Sequence, residues 1–185
     1  MSFRLLPSAS FPRPQGGKPA LAGVAAALIL VAGCGSGGHK ATASHVQTVS
    51  GGGYRFLAPS SWSVHRTGRQ VTAGSGDVDL VGVTTFTLAR PYRPHLWAKA
   101  VPALDQAADG LAAQLGGKVQ ARATVVVAGR RARRYEIAYR RDGKALVEQT
   151  VFILVGRREH QLLCRLEADA DDGACRTLFS SFRLG

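Results

Sequence analysis

The segment KVQARATVVVAGRRARRYEIAYRRDGKALVEQTVFILVGRREHQLLCRLEA, residues 118–168, decides the fold of this chain. β-Branched and aromatic side chains are enriched in four parts of it, and we predict these parts to be strands: residues 118–128, 133–139, 145–155 and 159–168. Turn residues separate the strands at Gly129-Arg130, Asp142-Gly143 and Gly156-Arg157, and Asp-Gly is a strong hairpin signal. The segment therefore predicts an antiparallel meander.

Further strands and two helices are predicted around the meander. Strand-like segments cover residues 54–59, 61–66, 70–74 and 78–89, with Phe56 and Trp62 as core anchors. Apolar residues recur at helical spacing over residues 94–117, and a short amphipathic helix is predicted over residues 171–181. This order predicts an α+β fold, in which an antiparallel β-sheet carries one long helix and one short C-terminal helix.

The aromatic and turn residues of this domain carry a family resemblance. Tyr54-x-Phe56-x-x-Pro59-x-x-Trp62, the long helix, VVVAGRRARRYEI at 125–137 and SSFRL at 180–184 resemble the PsbP-like fold, and more closely the LpqN-type lipoproteins of actinobacteria. The resemblance covers about residues 53–184 and implies a PsbP-like sandwich with a binding or accessory role and no known catalytic centre. Because the matching positions are structural, no family site is carried over.

The first 33 residues have the features of an export signal. Arg4, Arg13 and Lys18 precede an uncharged apolar run, residues 20–33, that is shorter than the roughly 20 residues a membrane-spanning helix needs. Val31, Ala32, Gly33 and Cys34 resemble the lipobox of bacterial lipoproteins. That resemblance implies a diacylglyceryl group on the Cys34 thiol, cleavage just before it, and a location on the extracytoplasmic face of the cell membrane. An ordinary secretory signal with a cysteine at this position is the alternative.

The domain boundaries follow from this interpretation. Residues 1–33 are the predicted lipoprotein signal peptide, residues 34–53 the lipidated cysteine and a flexible tether, and residues 54–185 the folded domain. The tether is rich in Gly and Ser and has no periodic apolar face. His39 and His45 fall in it and are expected to be solvated.

The remaining two cysteines form an even pair once Cys34 carries lipid. An exported domain folds in an oxidising compartment, and the final helix must return onto the last strand of the sheet. We therefore predict a disulfide between Cys164 and Cys175, with two buried free thiols as the alternative.

Motifs for catalysis, metal binding and phosphate binding do not stand out in the sequence. We found no GxSxG, HExxH, Walker or CxxC pattern, and His65, His95 and His160 are widely separated. The sequence therefore predicts no catalytic residue, metal ligand, cofactor or nucleic-acid partner. Two alternatives stay open: an envelope hydrolase or transferase built from scattered residues, and a lipid carrier with an apolar cavity between the sheet and the long helix.

Positive charge is in large excess, with 24 Lys and Arg against 12 Asp and Glu. Successive hairpins bring the first and third turns of the meander to the same end of the sheet, and the second turn, with Arg140, Arg141 and Lys144, to the other. We predict a docking surface for anionic headgroups or anionic wall polymers at the first end, formed by Arg130, Arg131, Arg157 and Arg158. A solvated basic rim is the simpler alternative, and an envelope protein is another potential partner.

Overall fold

A computed structural model describes residues 45–185. In this part of the chain there are nine strands, two α-helices and a short 3-10 helix over Pro94–Leu96. The strands and α-helices are, in chain order, β1 Val46–Gly51, β2 Tyr54–Pro59, β3 Ser63–Thr67, β4 Gln70–Ser75, β5 Asp79–Tyr92, α1 Trp97–Gln114, β6 Lys118–Val127, β7 Arg130–Arg141, β8 Lys144–Glu167, α2 Gly173–Ser181 and β9 Arg183–Leu184.

The larger of the two sheets is antiparallel, in the order β3-β4-β5-β8-β7-β6, so the meander β6-β7-β8 joins β5 through its last strand. Strand β8 covers 24 residues and folds back on itself at Gly156, where φ is +55°. The Ala168 N–H donates to the Ala145 carbonyl at 2.9 Å, so the two ends of β8 lie side by side. One arm pairs with β7 and the other with β5. The predicted meander and its bend at Gly156-Arg157 are therefore present, although no irregular loop interrupts the strand.

The smaller sheet, in the order β1-β2-β9, packs with α2 against one face of the large sheet. Val49, Phe56 and Phe182, each at most 1% exposed, contribute its main buried side chains. They meet Val151, Ile153 and Leu162 from β8 in one hydrophobic cluster. This second layer makes the domain a sandwich, which confirms the predicted α+β class.

Helix α1 covers part of the opposite face. Its apolar residues Trp97 and Leu104 pack against Tyr135 and Phe152. Asp105 adds a polar contact, because it accepts hydrogen bonds from the Tyr135 hydroxyl at 2.6 Å and the Arg133 Nε at 3.0 Å. Partial burial alone would raise the pKa of Asp105, but these two hydrogen bonds lower it below its usual value. The long helix is thus held to β7 by both apolar and charged contacts.

The amino-terminal boundary of the domain differs from the prediction. The tether predicted over residues 34–53 includes Val46–Gly51, which instead form β1 and pair with β2 from Val46 opposite Pro59 to Gly51 opposite Tyr54. Val49 is fully buried, and burial of a β-branched side chain against the large sheet stabilises the strand. The signal that could have shown this hairpin is the strand-like VQTV followed by the turn residues Gly52-Gly53.

The predicted disulfide is confirmed. Cys164 on β8 and Cys175 on α2 are bonded, with 2.01 Å between the sulfurs and 5.4 Å between the Cα atoms. Both residues are almost fully buried, at 0% and 2% exposure. The bond ties α2 to the large sheet.

Candidate anion-binding surface

Eight exposed arginines lie at one end of the large sheet, which we call the basic end. They come from four segments of the chain: the β3–β4 turn, the last part of β5 and the residue after it, the start of β7, and the bend of β8. The eight residues are Arg66, Arg69, Arg90, Arg93, Arg130, Arg131, Arg157 and Arg158.

Strand register places these segments together. Arg158 lies opposite Thr87 of β5, and Gly156 lies opposite Tyr92. On the other side of β8, the last paired residue is Ile153, opposite Ala132, so the start of β7 adjoins the bend. The β3–β4 turn joins them through the Thr85 N–H, which donates to the Arg69 carbonyl at 3.0 Å. The two arginine pairs predicted from the sequence are thus at the same end.

The four predicted arginines do not form one crowded cluster, however. The Arg131 guanidinium lies over the Trp97 ring, 5.8 Å from its centre, on the α1 side of the sheet. Arg158 points to the opposite side, where its Nη1 donates to the Gly52 carbonyl at 3.1 Å. Successive residues of a strand face opposite sides, so neighbouring arginines diverge and their mutual repulsion falls. The positive charge is spread over the whole end.

These arginines have no acidic partners within the described part of the chain. Its ion pairs involve Arg122, Arg133, Arg141, Lys144 and Arg176, none of which belongs to the basic end. Most carboxylates lie at the opposite end, around the β4–β5 turn, the β7–β8 turn and the start of α2. These are Asp77, Asp79, Asp142, Glu167, Asp169, Asp171 and Asp172. The domain therefore has a strong charge asymmetry along its strands.

The two titratable groups beside the β8 bend oppose this positive charge only weakly. Glu159 lies opposite Phe86, and burial raises its pKa to about 7, so its negative charge is partly lost near neutral pH. His160 is 2% exposed, with its Nδ1 3.1 Å from the Thr85 hydroxyl. Burial, and secondarily the charge of Arg158, lower its pKa. His160 is therefore largely neutral at pH 7, and the partly protonated Glu159 offsets only a small part of the arginine charge at this end.

The other residues singled out in the sequence do not form a common site. His65 and His95 are exposed, whereas His160 is in the core. Within residues 45–185 no three His, Cys, Asp or Glu side chains are grouped closely enough to hold a metal ion. Arg141 donates to the Asp77 carbonyl at 3.0 Å and Lys144 pairs with Glu167 at 2.5 Å, both at the acidic end. Cys34 and the lipobox Val31, Ala32 and Gly33 lie outside the described residues.

Two surface clefts can be described in residues 45–185, and no residue of α1 lines either of them. The larger, about 560 Å³, lies at the acidic end between the β4–β5 turn and residues 167–170. The smaller, about 190 Å³, lies beside α2. Between α1 and the large sheet, the buried side chains of Trp97, Leu104, Tyr135 and Phe152 pack together. None of the helices in residues 45–185 has the length and apolar character needed to cross a bilayer.

Comparison with solved structures identifies the fold. Cyanobacterial PsbP (CyanoP) from Synechocystis sp. PCC 6803 is 16% identical over 82% of this chain and 98% of that protein, with a TM-score of 0.55. This chain has a PsbP-like fold. LpqN of Mycobacterium tuberculosis, described as involved in cell envelope biogenesis, is also 16% identical, over 76% of this chain and 91% of LpqN, with a TM-score of 0.48.

A third structural neighbour is a larger protein. This protein, from Bacteroides thetaiotaomicron, is 9% identical over 71% of this chain, with a TM-score of 0.53, and the match spans only 45% of its own length. No protein-family model matches the chain, and no curated protein is detectably similar to it in sequence. At these identities the likeness extends to the fold alone.

Proposed function

We propose that this protein is a lipid-anchored lipoprotein of the cell envelope, and that its PsbP-like domain is a non-catalytic accessory domain that binds an anionic partner through the basic end. The observation that carries this proposal is the set of eight exposed arginines without acidic partners in residues 45–185. Guanidinium groups bind phosphate and carboxylate oxygens in bidentate geometry. Such a surface therefore attracts phosphate- or carboxylate-bearing partners.

The extracytoplasmic location is supported by two independent features. The lipobox-like residues Val31, Ala32, Gly33 and Cys34 follow a basic, apolar leader of the kind that directs export. The Cys164–Cys175 disulfide is typical of a protein that folds outside the reducing cytosol. We also propose that the protein is an LpqN-type lipoprotein from an actinobacterium.

Reversing charge at the basic end should abolish most of the anion binding. We expect the Arg130→Glu/Arg157→Glu variant to bind inorganic polyphosphate or phosphatidylglycerol vesicles at least about tenfold more weakly, because each arginine near an anionic surface contributes about 1 kcal/mol. Binding of the unchanged protein should also weaken as ionic strength rises. The assay uses the mature chain from residue 34, with Cys34→Ser to prevent lipidation, and measures co-sedimentation or fluorescence anisotropy.

Lys118→Glu/Arg140→Glu is the matched control, because it makes the same charge change at the opposite end of the same sheet. Both side chains are exposed, as are Arg130 and Arg157. Binding by this control should stay within about threefold of that of the unchanged protein. Equal losses in the two variants would show that only net charge matters, and the basic end would then have no special role.

The anchor proposal makes a separate prediction for Cys34. Protein purified from membranes of its own host should carry the mass of acyl chains on Cys34, because a lipobox cysteine is the acceptor. Cys34→Ala should remain as a precursor or be released in soluble form without that mass, while Ser36→Ala should be acylated normally. Intact-mass spectrometry checks this. Membrane-purified wild type without acyl mass on Cys34 contradicts the lipoprotein assignment.

A further inference from the structure

The basic end is a broad surface rather than a single line of charge. From the β3–β4 turn to the β6–β7 turn it spans six strand spacings, counting both arms of β8, which corresponds to roughly 25–30 Å. The β1–β2 turn adds a second layer at the same end, since the Arg158 Nη1 donates to the Gly52 carbonyl of the smaller sheet, and packed sheets lie about 10 Å apart. The strand ends of both sheets therefore form a two-dimensional surface.

The smaller sheet has two further exposed arginines beside this surface. Arg55 of β2 lies opposite Arg183 of β9, next to the β1–β2 turn, and the Gly185 N–H donates to the Gly53 carbonyl at 3.0 Å. Neither arginine forms an ion pair within residues 45–185. Like charges directly opposite each other on neighbouring strands repel. An anionic surface placed against this end would relieve that repulsion.

The shape of this end suits a planar partner better than a strand of polymer. Linear polyanions such as single-stranded nucleic acids are bound in basic grooves that follow the chain. Neither of the two clefts described above is lined by a residue of the basic end. Its arginines also point to both sides of the large sheet, as Arg131 and Arg158 do. One polymer strand would reach only one side, whereas a plane that meets the strand ends contacts both.

An exposed apolar side chain lies at the edge of this surface. Val126, opposite Arg131 in the β6–β7 hairpin, is 75% exposed. Val46, at 41%, is the other exposed large hydrophobic residue in the described part of the chain, and the six-residue strand β1 separates it from the β1–β2 turn. A valine among arginines is suited to a lipid surface, where the guanidinium groups pair with headgroups and the apolar side chain enters the interface.

We propose that the basic end docks on the surface of a bilayer that contains anionic lipids, with the strands of the large sheet directed at the membrane and Val126 in its interfacial region. This inference rests on the proposed function and names a membrane surface as its anionic partner. Anionic lipids attract arginines that lie near the surface, and guanidinium groups bind headgroup phosphates in bidentate geometry. All the contacting groups belong to residues 45–185, so the docking is a property of the domain itself.

A fluorescent label at position 126 tests entry into the interface. The mature chain with Cys34→Ser and Val126→Cys has one free thiol, since Cys164 and Cys175 are bonded, and this thiol carries an environment-sensitive fluorophore. Phosphatidylglycerol vesicles should shift its emission to the blue and raise it at least about twofold, because the label leaves water. Pure phosphatidylcholine vesicles and polyphosphate should leave it unchanged. The matched control is the same label on Val46→Cys, which should not respond to any of the three.

Charge reversal at the two edges of the basic end tests the planar contact. Arg66→Glu/Arg69→Glu lies at the β3–β4 turn, and Arg130→Glu/Arg157→Glu lies towards the other edge. Each variant should bind phosphatidylglycerol vesicles at least about tenfold more weakly, whereas the control variant at the opposite end should lose less than about threefold. Val126→Ser should weaken vesicle binding about fivefold and leave polyphosphate binding unchanged, because only a lipid interface takes up the apolar side chain.

The outcomes separate this inference from the proposed function. Vesicle binding with a response at position 126 alone, and with losses in both edge variants, supports the inference. Vesicle binding without a response at 126, with an equal response at 46, or with a loss at one edge only overturns it. If the protein binds polyphosphate but no vesicle, the partner is an anionic polymer, so bilayer docking is overturned while anion binding stands. If it binds neither probe, the proposed function itself fails.

Discussion

Replacing Cys164 and Cys175 together with alanine should lower the free energy of unfolding by about 3 kcal/mol. The bond closes a short loop, with a sequence separation of 11, and it fixes α2 to β8. Its removal restores conformational freedom to the unfolded chain and leaves two small gaps in the core, since both cysteines are buried. For a domain of this size such a loss is a large part of the total stability.

Chemical denaturation monitored by tryptophan fluorescence measures this effect. Chemical reduction of the disulfide in the wild-type protein should lower the free energy of unfolding by a similar amount. A reductant should not change the free energy of unfolding of the double alanine variant. A change below about 0.5 kcal/mol in the variant would mean that α2 is held by packing alone.

The second large effect concerns Glu148, a carboxyl group in the core. It lies on the α1-facing side of β8, opposite Ile137, and is only 3% exposed. The Tyr139 hydroxyl is 3.5 Å from its Oε2. Burial raises the pKa of Glu148 to about 7, against the smaller opposing influence of Arg165, Tyr139 and Arg141. Near neutral pH this side chain is therefore divided between a protonated and a charged form.

We expect Glu148→Gln to be more stable than the wild type at pH 8, by up to about 3 kcal/mol. Because the folded-state pKa lies above the unfolded one, the folded protein binds the proton more tightly. The corresponding stability is fully present below about pH 4.5 and is lost as pH rises through about 7. Glutamine cannot ionise, so the variant escapes this loss, and the two proteins should converge in stability towards pH 4.5.

Unfolding free energies measured from pH 5 to pH 8.5 check this expectation. Asp142→Asn removes a negative charge from a side chain that is 93% exposed and controls for the change in net charge. Protonation of His160 lowers the free energy of unfolding of the variant and of the wild type equally at acidic pH, since the folded-state pKa of His160 is lowered. The difference between variant and wild type thus isolates Glu148. A difference that does not grow with pH would contradict the assignment.

Local signals predicted most of the secondary structure, because each depends on neighbours in sequence. The period-2 runs of the meander, the Asp142-Gly143 turn and the helical spacing from Trp97 onward have direct counterparts in β7, β8 and α1. The bend of β8 was also visible, since Gly156 adopts a positive φ that glycine accepts without strain. The disulfide between Cys164 and Cys175 could be predicted because these two cysteines remain once Cys34 is assigned to lipid, and because the last helix must pack back onto the sheet.

The smaller sheet was harder to predict from local pattern. Val46–Gly51 contains only two apolar side chains beside a glycine-rich stretch, so its sequence resembles a linker. It becomes a strand because β2 pairs with it and Val49 is buried against the large sheet. Tertiary contacts of this kind override weak local preferences.

The extent of the basic end also depended on the tertiary structure. The sequence by itself determined the excess of arginine, the turns that carry Arg130 and Arg157, and the lipobox-like residues before Cys34. Only the folded chain decided that four more arginines lie at the basic end, namely Arg66, Arg69, Arg90 and Arg93. It also decided that Arg131 and Arg158 point to opposite sides of the sheet, and that most carboxylates lie at the end opposite to the basic end. Side chains far apart in sequence become neighbours only through strand order and register, and neither is encoded within a single segment.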